Sequence, residues 1–216
     1  VLATVLSCAL VGIEAHPVQV EVDLAAGIPH TATVGLPDHV VRESKDRVRS
    51  ALRNSGFDIP PRRITVSLAP AHLRKEGAAY DLPIAVGILA ATGHEVRRGL
   101  AGTILAGELA LDGALRPIRG ALSVAAAAEQ LGCRRLVVPR GNAAEAALVR
   151  DVDVFGVASL REAVDLLSGG EGAVPVPPTT PVAEAADSPL DLAEVRGQEL
   201  AKRALEIAAA GGHNAL

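Results

Sequence analysis

Arg42, Lys45, Arg49 and Arg53 follow one another at intervals of three or four residues. On a helix that spacing gathers side chains on neighbouring turns. Arg62, Arg63, Arg74 and Lys75 come soon after. Between Asp38 and Gly77 the chain holds nine Lys/Arg against five Asp/Glu, although its net charge is −4. Clustered cations neutralise phosphates, so these eight residues are candidate DNA contacts, weak, indifferent to sequence and steeply salt-dependent. Two other accounts stand beside that one: a solvated helix face, and salt bridges between subunits.

Other chemistries find little support. No G-x-x-x-x-G-K-[ST] phosphate-binding loop occurs in the 216 residues. His16, His30, His39, His72 and His94 share no metal-ligand spacing, so no metal is expected. Cys8 and Cys133 are far apart and read as buried thiols in a reducing compartment. Tyr80, Phe57 and Phe155 are the only aromatics, which leaves no stacking platform for single-stranded nucleic acid. With 49% hydrophobic residues the core is large and aliphatic.

The elements that must position the basic residues follow from periodicity. Val18, Val20, Val22 and Leu24 alternate with polar residues as a half-buried strand. Thr31 to Leu36 reads as a neighbouring antiparallel strand. A helix starts after Asp38, its N-cap, with Val41, Val48 and Leu52 inward, the basic residues largely off that face, and Gly56 as the stop. Ile64, Val66 and Leu68 alternate as a strand. Asp81 reads as the N-cap of an apolar helix over Leu82–Ala91, with Pro83 in its first turn. Thr103–Leu111 and Leu115–Ile118 flank Asp112-Gly113 as a hairpin. Helices near 122–131, 143–149 and 160–167 then alternate with strands at 135–138 and 152–155. The fold class is α+β.

Val1 to Ile13 is apolar, and Val5-Leu6-Ser7-Cys8 faintly resembles a lipoprotein cleavage site. The first Lys or Arg is Arg42, so no basic leader precedes it, and the segment reads as a first strand of a cytoplasmic protein. No run is long enough to span a membrane. Gly169 to Pro189 is rich in Pro and Gly without periodicity and reads as a mobile, cleavable linker. It separates a domain over 1–168 from a segment over 190–216.

Two segments carry a resemblance. Arg74-Lys75-Glu76-Gly77-Ala78-Ala79-Tyr80-Asp81 resembles the K-[DE]-G-x-[SA] turn before a helix in the Lon proteolytic domain. Ala106 to Gly120 resembles Lon's T-G-E to P-I-G-G hairpin. By that resemblance the serine nucleophile of Lon falls on Ala79 and its lysine base on Leu122. A methyl and an isobutyl group fill neither role of a Ser-Lys hydrolase. Ser123 is one position off, and Lys75, offered as a substitute base, has no serine to serve. The likeness covers roughly Val18 to Leu167 and implies a Lon-like, ribosomal-protein-type β-α sandwich without peptidase activity.

Further blocks are Ser7–Glu14, Val34-Gly35-Leu36-Pro37-Asp38, Glu43–Arg49, Ile64–Pro70, Lys75–Ala85 and Gly197–Asn214. With them the chain is identified as a member of the YifB/ComM family of magnesium-chelatase-like AAA+ ATPases. The resemblance implies a hexamer of sister subunits, ATP and Mg²⁺ bound by the full-length protein, and work on DNA in branch migration, recombination and natural transformation. It places Val195, Gly197, Gln198, His213 and Asn214 near the nucleotide. In that family Gly-His-Asn leads into the phosphate-binding loop. Residues 190–216 therefore read as one helix at the start of an AAA+ domain, and the 216 residues are expected to be a non-enzymatic module. A degenerate Ser-Lys peptidase and an ATPase subunit of a chelatase-like complex remain as alternatives.

Overall fold

A computed structural model describes residues 1–170, 174–178 and 191–214. Its contacts divide the chain into two units, 1–180 and 181–216.

The first unit is built on β1 (Leu2–Val11) and β2 (Glu14–Ala25), an antiparallel hairpin that turns at Gly12. Then come β3 (His30–Val34), α1 (His39–Asn54), β4 (Arg63–Ala69) and α2 (Asp81–Thr92). The second half carries β5 (Thr103–Leu105), the small hairpin β6 (Glu108–Leu109) and β7 (Leu115–Arg116), and α3 (Ala121–Gln130). It closes with β8 (Arg135–Pro139), the single turn α4 (Ala143–Ala146), β9 (Asp153–Val157) and α5 (Leu160–Leu167).

Seven strands form one sheet in the order β3-β4-β2-β1-β5-β8-β9. Every pairing is parallel except those made by β2, which runs against both its neighbours. The sheet is therefore mainly parallel, with helices on it, and the fold is a mixed α+β one.

The expected antiparallel neighbours, β2 and β3, do not touch. β4 inserts between them, pairing Leu24 with Ile64, Val22 with Val66 and Val20 with Leu68. These six side chains are all buried on one face. A long strand with an uninterrupted apolar row takes the partner whose row matches it, which fixes register. The five-residue β3 is left parallel to β4 at the rim.

Alternation along the strands feeds two cores. Val5, Val20, Val66, Leu105, Val137 and Val157 face α1, α2 and α5. Ile104, Leu136, Val138 and Val154 face α3 and α4, with Cys8 and Cys133 among them.

The single strand expected over Thr103–Leu111 is divided. Gly107 donates to the Ala79 carbonyl oxygen (2.8 Å) and accepts from the Leu82 N–H (3.0 Å), so its backbone leaves the ladder. A side chain there would overlap Leu115. β5 joins the large sheet before this break, and β6 pairs with β7 after it. Asp112 accepts from the Ala114 N–H (2.9 Å), the local bond that makes Asp-Gly a turn former.

Part of the expected linker lies on this unit. The Val176 N–H donates to the Val154 carbonyl oxygen (2.8 Å), and its side chain packs against the second core. The remainder of that stretch, 171–173 and 179–189, lies outside the described residues. In the second unit Asp191 caps a turn over Leu192–Glu194, followed by α6 (Glu199–Gly211), none of whose described side chains is buried. Among the described residues no helix is long and apolar enough to cross a membrane.

Candidate functional site

Ala79 sits where the loop after β4 enters α2. It lines a hollow of about 540 Å³ together with Cys8, Asp38, Tyr80, Glu108 and Arg119. Leu122, on the first turn of α3, lines a different hollow with Ile13, His16 and Ser123. Its side chain is half out in solvent. The two positions that carry the Lon dyad by resemblance thus line separate hollows, and neither side chain can exchange a proton. The hollow of Ala79 does hold a thiol and a phenol. Burial pushes the Cys8 thiol up to about 12 and raises the Tyr80 phenol well above its ordinary value. Both stay protonated at neutral pH, so neither is an activated nucleophile.

Asp81 was expected to cap α2. It is instead the first residue of that helix, and Tyr80 holds the cap position without a side-chain bond. The Asp81 carboxylate is fully buried and turned toward α1, where Arg47 grips it twice, from Nε at 2.8 Å and from Nη2 at 3.1 Å. The Leu109 N–H adds a third bond at 3.2 Å. Three donors in a dry site outcompete the helix's own N–H groups for this carboxylate. Burial still pushes it up to about 6, with Arg47 and Leu109 pulling the other way. Arg47 escaped the reading of the sequence. The available signal was its place beside Val48, on the border of the buried stripe of α1.

Lys75, grouped above with the DNA-contacting cations, is fully buried and must be withdrawn from that group. Its Nζ donates to the carbonyl oxygens of Gly35 (3.0 Å) and Pro70. Its backbone accepts from the Asp38 N–H (3.0 Å) and donates to the Leu36 carbonyl oxygen (3.3 Å). Asp38 caps α1 as expected, accepting from the Val41 N–H (2.7 Å), and its other oxygen reaches the Gly77 N–H (3.3 Å). Burial lowers the Lys75 pKa. The neighbours Arg74 and Glu76 pair with each other at the surface (2.9 Å).

The remaining cations divide. Lys45, Arg49 and Arg53 come from α1, and Arg62 from the approach to β4. All four line one groove together with His30, Thr31 and Thr33. Its floor is aliphatic, made by Val48, Ile64, Val66, Ile84 and Ile88, all buried. Arg42, Arg63 and Arg74 are exposed but outside this groove, with Arg42 bonded to the Pro37 carbonyl oxygen (3.2 Å). Ser44 also lines the groove. It is the single polar residue in the buried stripe Val41, Ser44, Val48, Ala51, Leu52, and its hydroxyl has no hydrogen-bond partner.

In the second unit Val195, Gly197, Gln198, His213 and Asn214 are exposed. Gly197 and Gln198 both have left-handed backbone (φ 69° and 61°) and lead into α6. The His213 N–H closes that helix on the Ala208 carbonyl oxygen (2.8 Å). No group of three His, Cys, Asp or Glu among the described residues is arranged to hold a metal.

Residues 20–142 match the model of a family described as subunit ChlI of magnesium chelatase, and 191–216 match a second one, magnesium chelatase, subunit ChlI. A Salmonella typhimurium protein named YifB is 44% identical over 218 residues, covering all of this chain and 42% of the relative. The competence protein ComM of Haemophilus influenzae is also 44% identical over 218 residues, with 43% of it covered. A Mycobacterium tuberculosis protein, Rv2897c, is 41% identical over 211 residues. The chain thus spans about two fifths of the length of the curated relatives it matches. The family match takes in Ala79, the Asp81–Arg47 pair and the basic groove, and resumes at residue 191 to include α6, so the chain belongs to the YifB/ComM family of magnesium-chelatase-like proteins.

Proposed function

We propose that residues 1–168 are a non-catalytic, Lon-like module of a ComM/YifB-type AAA+ ATPase, one associated with DNA branch migration in recombination and natural transformation. The observation that carries this reading is the hollow around Ala79. The position of a nucleophile is a methyl group, and the thiol and phenol beside it are held protonated by burial. The Asp81–Arg47 clamp and the Lys75 strut tie the surrounding loops together, which fits a rigid scaffold within a ring of sister subunits. In this reading ATP and Mg²⁺ belong to a phosphate-binding loop that the 216 residues do not contain.

Two assays test it on this chain. Fluorescent casein should remain uncut, and calorimetry with ATP and Mg²⁺ should show no micromolar binding. Cleavage lost on Ala79→Gly or Leu122→Ala would establish a degenerate peptidase and overturn the reading.

A further inference from the structure

The groove beside α1 reaches the rim of the sheet, because Thr31 and Thr33 of β3 form one of its walls. We propose that this groove docks an extended acidic segment of a partner protein, added as a strand to β3 with one apolar side chain seated on Val48, Ile64 and Ile88. This goes beyond the scaffold reading and does not depend on it.

Four observations converge. First, β3 is an end strand with one unpaired edge. Its residues, His30 to Val34, include no Lys, no Pro and no acid, which are the usual means of blunting an edge. An unblunted edge offers a row of backbone donors and acceptors to an incoming strand. Second, the cavity measures about 190 Å³. That is below the roughly 300–1,000 Å³ of small-molecule sites and suits a single aliphatic side chain. Third, Lys45, Arg49, Arg53 and Arg62 line it without any Asp or Glu among the lining residues. None of the four makes an ion pair or side-chain hydrogen bond among the described residues. Fourth, the buried Ser44 hydroxyl is unsatisfied, and a buried hydroxyl without a partner is costly until something supplies one.

Other occupants use less of the site. A second copy pairing β3 to β3 brings like-charged sets of cations together. A phosphodiester backbone satisfies the cations but leaves the strand edge and the aliphatic floor unused.

The test is fluorescence anisotropy on this chain with a labelled octapeptide of alternating leucine and glutamate, at low salt. Its leucine–lysine counterpart and a labelled oligothymidylate serve as comparisons. The glutamate peptide should bind saturably and the lysine peptide should not. Arg49→Glu with Arg53→Glu should weaken binding by about tenfold or more. Both residues are exposed, so an unchanged melting curve verifies the fold. Methylating alternate backbone amides of the peptide should weaken binding similarly, and amides of His30–Val34 should gain exchange protection on binding. Three results would overturn the proposal: no binding of the glutamate peptide, equal binding of the methylated peptide, or displacement by oligothymidylate with the same loss on charge reversal. The last would make the groove a nucleic-acid surface.

Discussion

The amine of Lys75 lies 3.0 Å from the carbonyl oxygen of Gly35, in a site closed to solvent. This contact joins the Val34–Asp38 loop to the loop that carries Ala79. A run reading Arg-Lys-Glu in sequence thus contains the strut that seats both loops. Lys75→Met keeps the aliphatic stem and removes the donor. It should cost about 1–3 kcal/mol, because the Gly35 oxygen loses its Lys75 donor and the Pro70 oxygen keeps only the Leu73 N–H at 3.4 Å. Urea unfolding measures this, and a variant as stable as the parent would remove the strut from the account.

Gly35 itself admits no side chain. Its φ is 99°, and a Cβ there would overlap the carbonyl group of Leu68 on β4. Gly35→Ala should therefore cost more than about 2 kcal/mol, strain and overlap together. Gly12→Ala is the control: φ is 63° with open space around it, so only the left-handed penalty of about 1–2 kcal/mol applies. Equal melting temperatures for the two variants would contradict the close approach.

The Asp81 carboxyl, raised from 3.8 to about 6 by burial, makes stability depend on pH. A raised folded-state pKa means that the native state holds the proton more tightly. The contribution is fully present below about pH 3.8 and is lost as pH rises through about 6. The slope reaches at most about 1.4 kcal/mol per pH unit. Asp81→Asn should flatten the stability curve between pH 4 and 6. Arg47→Met removes the opposing cation, so the Asp81 midpoint, followed by NMR, should move higher still. A midpoint near 4 in the parent chain would refute this.

Cys8 and Cys133 are both buried, and their thiols are raised, Cys8 to about 12. Labelling with a disulfide reagent at pH 7 should be slow in the native chain and immediate in denaturant. Rapid native modification of Cys8 would mean that the hollow of Ala79 holds a reactive thiolate, contrary to the non-catalytic reading.

Much of the local structure was legible because it is written in one element at a time. The alternation of Val18 to Leu24 and of Ile64 to Leu68, the Asp38 cap and the span of α5 all read directly. What failed was pairing across distance. Asp81 looks like a cap because nothing nearby competes for it, and its partner Arg47 is 34 residues away. The charges flanking Lys75 suggest a surface, since burial of that amine depends on the Gly35 carbonyl group 40 residues away as well as on Pro70 of its own loop. The grouping of Lys45, Arg49 and Arg53 came from helix spacing. The wall they share with Thr31 and Thr33 requires that β4, rather than β3, lies against β2.

The lone reversed strand has a consequence for how the chain is assembled. β1 and β2 meet across a two-residue turn with ten consecutive partners, from Leu2–Asp23 to Val11–Glu14. That ribbon closes within residues 2–25, whereas its flanks depend on distant segments: β2 on Ile64 and its neighbours, β1 on Ile104. Local closure is entropically cheap and distant closure is not. The hairpin is thus the local seed of this sheet, onto which sequence-distant strands add from both sides.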